Sequence, residues 1–248
     1  MRYFVQLSYF GKNYHGWQIQ PNASSVQEAL NEALSTICNA EIYVVGAGRT
    51  DTGVHAREMW AHFDVENELP KNTLHRINRY LGPDIAVHRF LPVADEAHVR
   101  FDATERSYEY HLVQEKNPFL KDKAWHCPYP LDVRRMNKAA EYLFNHVDFT
   151  SFSKSRTQTK TNNCKIKSAY WEQQPDRLVF HITADRFLRN MVRAIVGTLV
   201  NIGRGKQPIE SINEIIEAKD RSLAGESAPA HGLFLTRVQY PKDVLNGR

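Results

Sequence analysis

The chain has 248 residues, of which 42% are hydrophobic and 24% are charged, with a formal net charge of +4. These ordinary fractions exclude a disordered or collagen-like chain, and the length suits one large domain or two small ones. No apolar run approaches the roughly 20 residues that span a bilayer, and the first residues alternate like a strand rather than forming a signal peptide. The slight positive charge is weak evidence for a nucleic-acid partner.

The cysteine and motif content limits the possible chemistry. Three widely spaced cysteines argue against a disulfide framework, so we expect a reducing, cytoplasmic environment. The chain contains no HExxH, CxxC or P-loop pattern, and no GxGxxG that follows a strand. The sequence therefore predicts no metal and no cofactor, and any chemistry would rely on side chains.

The first half of the chain alternates strand and helix patterns. The clearest is a helix over 26–37, where apolar residues recur at helical spacing and Ser25 with Glu28 forms a capping box. A second helix is predicted over 71–81. Strands are predicted over 2–10, 41–45, 58–66 and 84–91.

The second half repeats this alternation. Strands are predicted over 106–113, 166–173, 177–184 and 233–240, and helices over 133–145, over 186–202 and from Pro208. Because strands and helices interleave in both halves, we predict an α/β or α+β chain with two related lobes. The predicted domains are 1–95 and 96–248.

One candidate site is a loop with three glycines, residues 46–53, that contains Asp51. Such a loop can hold a carboxylate in a constant pose at the end of a strand, where it acts as nucleophile or base. Arg49 and His55 lie nearby in sequence, and a cation would keep Asp51 ionised. The alternatives are a turn in which Asp51 bonds to its own backbone and, because Asp-Thr-Gly also occurs in aspartic proteases, a protease that would have to be a dimer.

A second candidate is the tyrosine pair Tyr108 and Tyr110, which share one face of the strand 106–113. A tyrosine offers a flat face that stacks on a base and a hydroxyl that carries a proton. The alternative is that both rings pack in the core.

Two groups of cations complete the candidates. Arg186, Arg189 and Arg193 would lie along one stripe of the predicted helix 186–202, beside apolar surface, where an arginine usually faces a carboxylate or phosphate. The segment 154–167 holds five cations and no carboxylate, and its poor periodicity predicts a mobile loop suited to phosphate contacts. These cations are Lys154, Arg156, Lys160, Lys165 and Lys167. A solvated surface is the alternative for both groups.

The segment GRTDTGVHA (48–56) closely resembles the aspartate motif of the TruA family of tRNA pseudouridine synthases. Four further segments match the same family in the same order: NYHGWQIQP (13–21), RFDATERSYEYHL (100–112), FLRNMVRAIVGTLVNIGRG (187–205) and APAHGLFLTRVQYP (228–241). Together they span nearly the whole chain. Phe10 departs from the pattern, because it stands where the family has an acidic residue before Gly11.

The resemblance implies an α+β fold of two RRM-like, or ferredoxin-like, lobes whose mixed, mostly antiparallel sheets join around a central cleft. Asp51 would be the nucleophile, Tyr108 would stack on the target base and share in its proton chemistry, and Arg193 would form a salt bridge with Asp51.

The resemblance also assigns substrate contacts. Leu233 would line the uracil pocket, Arg49 would help displace the base, and His55 would belong to the same substrate site. Independently of the resemblance, their positive charge predicts that Arg49, Arg186, Arg189 and the five cations of segment 154–167 bind tRNA.

The implied activity is the isomerisation of uridine to pseudouridine at positions 38 to 40 of the tRNA anticodon stem-loop, by a homodimer without cofactor. The carboxylate could attack C1′, add to C6 or assist a glycal path, and Tyr108 or a water could remove the C5 proton. The alternatives are a related enzyme with another target uridine and a non-catalytic tRNA-binding or folding module.

Overall fold

The computed structural model describes residues 1–154 and 161–245. Within these residues, nine strands, which pair mostly antiparallel, and six α-helices place the chain in the predicted α+β class. The chain divides into two compact units, Met1–Glu105 with Leu235–Arg248 and Arg106–Phe234. The predicted domain ranges, 1–95 and 96–248, remain a prediction. None of the described helices is long and apolar enough to cross a membrane.

The first unit is built on a central strand with two antiparallel neighbours. Its elements are β1 (Arg2–Tyr9), α1 (Val26–Cys38), β2 (Val45–Gly46), β3 (His55–Asp64), α2 (Thr73–Tyr80) and β4 (Ile85–Val93). Strand β1 pairs with both β3 and β4, and β2 pairs with β3, all antiparallel. The predicted alternation of β1 is confirmed except at Phe4, which is buried together with Tyr3, Val5 and Leu7.

Helix α1 follows the predicted capping chemistry. The Ser25 hydroxyl accepts a hydrogen bond from the Glu28 N–H at 3.2 Å, and the Glu28 carboxylate accepts one from the Ser25 N–H at 3.4 Å. The buried face is made by the apolar residues at helical spacing, including Leu30 and Leu34. The helix ends at Cys38 and is followed by Asn39, whose φ of 52° is left-handed.

The predicted strand 41–45 is wrong except at its last residue, where β2 begins. Side chains of α1 satisfy the backbone there instead of a neighbouring strand. The Ile42 N–H donates to Ser35 Oγ at 2.9 Å, and the Val44 N–H donates to Asn31 Oδ1 at 2.9 Å. Because these donors already have partners, no ladder forms before β2.

The second unit contains β5 (Glu105–Val113), β6 (Trp125–His126), α3 (Val133–Glu141), β7 (Ile166–Gln173), β8 (Leu178–Ala184), α4 (Met191–Gly203) and α5 (Ser211–Ala218). Strand β5 pairs antiparallel with β8, which pairs antiparallel with β7, and β6 joins β5 in parallel. The order β5-β8-β7 repeats the order β1-β3-β2 of the first unit. The chain then continues as β9 (Leu233–Gln239) and α6 (Lys242–Leu245).

Helix α4 starts later than predicted. The pattern over 186–202 indicates one helix, but the structure begins it at Met191, after Asn190 with a left-handed φ of 68°. The carboxylate of Asp185 accepts the N–H of Arg186 at 2.7 Å, which favours a turn over a helix. The segment before α4 is therefore not helical.

Two other helix boundaries also shift. The helix predicted from Pro208 begins at Ser211, whose hydroxyl donates to the Pro208 carbonyl at 2.7 Å. The last turn of the helix predicted over 133–145 is a 3₁₀ helix, Tyr142–Asn145. Its start is as predicted, since Asp132 caps it.

A buried histidine makes the first unit sensitive to acid. The pKa of His62 is lowered to about 4, chiefly by burial and then by the positive charges of Arg2 and His98. The carboxylates of Asp64 and Asp102 oppose that shift. His62 is therefore neutral in the folded protein at neutral pH.

We expect the free energy of unfolding to fall as the pH drops from 6.5 towards 4. The unfolded chain then binds a proton that folded His62 excludes, so stability present above pH 6.5 is lost, by about 2–3 kcal/mol at pH 4.5. Urea unfolding at pH 7.0, 5.5 and 4.5 measures this loss. His62→Gln, whose amide oxygen can still accept the Val99 N–H that His62 Nδ1 accepts at 3.2 Å, should show a smaller slope. Equal slopes in both proteins would contradict this assignment.

Candidate active site

Asp51 lies in the loop between β2 and β3, which we call the Asp loop (residues 47–54). Its side chain is half-buried, and the Val54 N–H donates to its backbone carbonyl at 3.1 Å. The preceding residue, Thr50, is buried and its Oγ1 lies 2.8 Å from the Tyr9 hydroxyl. Arg49 is exposed. The Asp loop therefore anchors the backbone beside Asp51 and leaves a cation next to it facing solvent.

His55 follows the Asp loop as the first residue of β3. It is only 1% exposed, and its ring stacks on Phe10 with centroids 4.3 Å apart. Its Nδ1 accepts the Gly11 N–H at 2.9 Å. Because a backbone N–H can only donate, Nδ1 carries no proton in this bond and the ring is neutral. The role of His55 in binding substrate stays a prediction.

Residues 9–17, which we call the cradle segment, pack against the Asp loop. The Trp17 N–H donates to the Thr50 carbonyl at 3.2 Å, and the Gly53 N–H donates to the Tyr14 carbonyl at 3.4 Å. Sequence reasoning gave the residues of this segment no individual role, although 13–21 is one of the five segments that match the family. The signal for its contact with the Asp loop was Gly16 between two ring-bearing residues, because glycine permits a close backbone approach.

In the second unit, the two predicted tyrosines have different environments. Tyr110 is fully buried, its hydroxyl donates to the Pro229 carbonyl at 2.8 Å, and burial raises its pKa. Tyr108 is half-buried and meets the ring of Phe187 edge-on, with centroids 5.1 Å apart. Tyr110 therefore packs in the core, which is the alternative stated for both rings. Part of the Tyr108 side chain remains exposed, and a base could contact it.

The predicted arginine stripe is wrong, because only Arg193 lies on α4. Arg186 and Arg189 precede the helix, where the Arg189 carbonyl accepts the Lys154 N–H at 3.1 Å. Arg193 is half-buried, and its Nε donates to the Ala228 carbonyl at 2.7 Å. The guanidinium is thus tethered to the segment that leads towards β9.

The structure describes most of the other residues that were predicted to contact substrate or tRNA. Leu233, at the start of β9, is 6% exposed. Lys154, Lys165, Lys167 and Arg189 are exposed, and Arg186 is half-buried. Arg156 and Lys160 lie outside the described residues. Lys165 is ordered by its backbone N–H, which donates to the Asp185 carboxylate at 2.8 Å.

The cysteines offer no activated thiol. Burial raises the pKa of Cys38 and Cys127, and it raises the pKa of Cys164 to about 12. Such thiols are protonated near neutral pH and are poor nucleophiles. Over the residues that the structure describes, no three His, Cys, Asp or Glu side chains cluster as metal ligands.

Comparison with known proteins identifies the family. Residues 7–102 and 139–241 match the family model described as tRNA pseudouridine synthase. A tRNA pseudouridine synthase A of Parabacteroides distasonis is 51% identical, covering 98% of each chain. The proteins of that name from Bacteroides thetaiotaomicron and Haemophilus ducreyi are 53% and 40% identical, over 99% and 97% of this chain and 93% and 94% of theirs. The chain therefore belongs to the tRNA pseudouridine synthase family of isomerases, as its five motifs predicted.

Proposed function

We propose that this enzyme isomerises uridine to pseudouridine at positions 38 to 40 of the tRNA anticodon stem-loop, with Asp51 as nucleophile and without a cofactor. The observation that carries the proposal is the Asp loop. In a member of this family, it presents a half-buried carboxylate on a backbone that is hydrogen-bonded on both sides of Asp51. A preorganised charged group of this kind is what an isomerisation by side chains alone requires.

The reaction balances without an added reactant. The bond from N1 of uracil to C1′ breaks, the base turns, a bond from C5 to C1′ forms, and the C5 proton leaves while N1 gains one. The carboxylate can attack C1′, add to C6 or assist a glycal path. Any of these routes needs one ionised carboxylate and one group that takes the C5 proton, which is Tyr108 or a water.

The remaining site residues keep the roles that the resemblance implies. The target base leaves its stack at a cost of a few kcal/mol. Exposed Arg49 can fill the gap, and Tyr108 offers a replacement stack, its ring held edge-on by Phe187. Leu233 as a wall of the uracil pocket and Arg193 as the partner of Asp51 remain predictions.

Binding of tRNA rests on cations. Their exposure supports phosphate contacts by Lys154, Lys165, Lys167 and Arg189, with Arg186 beside them in sequence. Arg156 and Lys160 are proposed for the same role from the sequence alone. Contacts of this kind release counterions, so tRNA affinity should fall as salt rises.

The wider architecture is also part of the proposal. Apart from the two-residue strand β6 of the second unit, each unit orders its first strands and helices as β-α-β-β-α, which supports two RRM-like lobes. We propose a homodimer that works in the cytoplasm, where the three free cysteines would stay reduced.

Tritium release tests the function. Unmodified tRNA transcribed with [5-³H]uridine should release tritium when the purified protein is added, and pseudouridine should map to positions 38 to 40. A matched tRNA with cytidine at those three positions should release none. Release from the cytidine tRNA would indicate another target uridine. Binding without release from either tRNA would indicate a non-catalytic module.

A further inference from the structure

The chain is bonded to one distant segment both before and after Asp51. The Trp17 N–H donates to the carbonyl of Thr50, which precedes Asp51, and the N–H of Gly53, two residues after Asp51, donates to the Tyr14 carbonyl. The Tyr9 hydroxyl also lies 2.8 Å from Thr50 Oγ1. These partners lie more than 30 residues away in sequence. The pose of the carboxylate therefore depends on how closely the cradle segment approaches the Asp loop.

That approach requires a glycine at position 16. Gly16 has a left-handed φ of 92°, which side chains rarely adopt. A Cβ there would lie 2.4 Å from the Thr50 carbonyl oxygen and 3.1 Å from the carbonyl carbon of Asp51. Both neighbours are backbone atoms, so a methyl group at position 16 forces the cradle segment and the Asp loop apart.

We propose that the cradle segment is a positioning template for Asp51 and that Gly16 is its decisive positioning residue. The inference rests on the proposed role of Asp51. A carboxylate that attacks or stabilises a reacting atom must be placed within about 0.5 Å, and a misplacement of about 1 Å costs on the order of 100-fold in rate. Gly16 touches neither the base nor the sugar in this proposal, and it acts through the backbone of Thr50 and Asp51.

Gly16→Ala tests the template. We expect kcat for pseudouridine formation to fall about 100-fold. KM for tRNA should change less than about threefold, since phosphate contacts elsewhere supply most of the affinity. The matched control is Gly82→Ala in the same unit, because Gly82 is exposed and a Cβ there meets nothing within 4 Å. The control should keep the kcat and KM of the natural protein.

A second variant covers the case in which Gly16→Ala does not fold. Tyr9→Phe removes only the hydroxyl that faces Thr50 Oγ1, and kcat should fall about fivefold at constant KM, the effect of one lost hydrogen bond. The proposal that the cradle segment positions Asp51 is overturned if Gly16→Ala folds and keeps the natural kcat. If Gly16→Ala does not fold, a natural kcat of Tyr9→Phe overturns it. A fall in kcat that is fully explained by the unfolded fraction of the variant also overturns it. The proposed function fails separately, if Asp51→Ala stays active.

Discussion

We expect Asp51→Asn to lower the rate of pseudouridine formation by at least about 10⁴-fold, the loss typical of a removed catalytic carboxylate. Asparagine has nearly the same size, so the Asp loop and its bonds to the cradle segment should persist. What disappears is the negative charge and the nucleophilic oxygen. A neutral amide can neither attack C1′ or C6 nor stabilise positive charge on the sugar, so all three routes slow together.

Single-turnover tritium release measures this loss, and filter binding measures tRNA affinity. The affinity of Asp51→Asn should stay within about threefold of the natural protein, because removing one carboxylate adds no unfavourable charge towards phosphates. Asp243→Asn is the matched control, since Asp243 is an exposed carboxylate in α6. If Asp51→Asn keeps more than about one hundredth of the natural rate, the carboxylate is not the essential group.

The elements predicted correctly are those with local causes. Helix α1 was predictable because Ser25 and Glu28 cap it within one turn, and its apolar residues recur at helical spacing. The structure of the range 41–45 was not predictable, because the N–H groups of Ile42 and Val44 bond to side chains of α1 rather than to a neighbouring strand. Alternation predicts an extended segment, but the sequence alone does not show which groups satisfy its backbone.

The predicted start of α4 was wrong for a related reason. The apolar spacing of its helix continues back to Leu188, so the sequence pattern shows no break before Met191. The break comes from the carboxylate of Asp185, which accepts backbone N–H groups from both Arg186 and Lys165. Lys165 lies 20 residues away, so this competition depends on tertiary structure.

The candidate site divides in the same way. Asp51 and Arg49 could be proposed from the sequence because one nine-residue motif contains them. The strand pattern does not distinguish Tyr108 from Tyr110, because both share one strand face. The resemblance selects Tyr108, and the structure shows that Tyr110 is fully buried whereas Tyr108 is half-buried. The cradle segment was missed because the need for glycine at position 16 arises from a contact with Thr50, 34 residues away.

Gly197 presents a conflict between helix propensity and packing. It lies inside α4, where alanine is intrinsically better than glycine by about 1 kcal/mol. A Cβ at this position, however, would lie 1.8 Å from the Glu226 carbonyl oxygen. The segment 225–228 cannot move away freely, because two hydrogen bonds hold it to α4. The Gly225 N–H donates to Thr198 Oγ1 at 2.9 Å, and the Ala228 N–H donates to the Arg193 carbonyl at 3.0 Å.

Packing should therefore win, and Gly197→Ala should destabilise the protein by about 3 kcal/mol. Overpacking costs about 1–3 kcal/mol and each displaced hydrogen bond about 1 kcal/mol, which together exceed the gain in propensity. The melting temperature should fall by about 10 °C, whereas Gly82→Ala should move it little. Calorimetry measures both variants. The displacement should also pull the Ala228 carbonyl from the guanidinium of Arg193, so kcat measured on the folded fraction should fall as well. An unchanged or higher melting temperature would mean that the segment at 225–228 yields and that propensity decides the outcome.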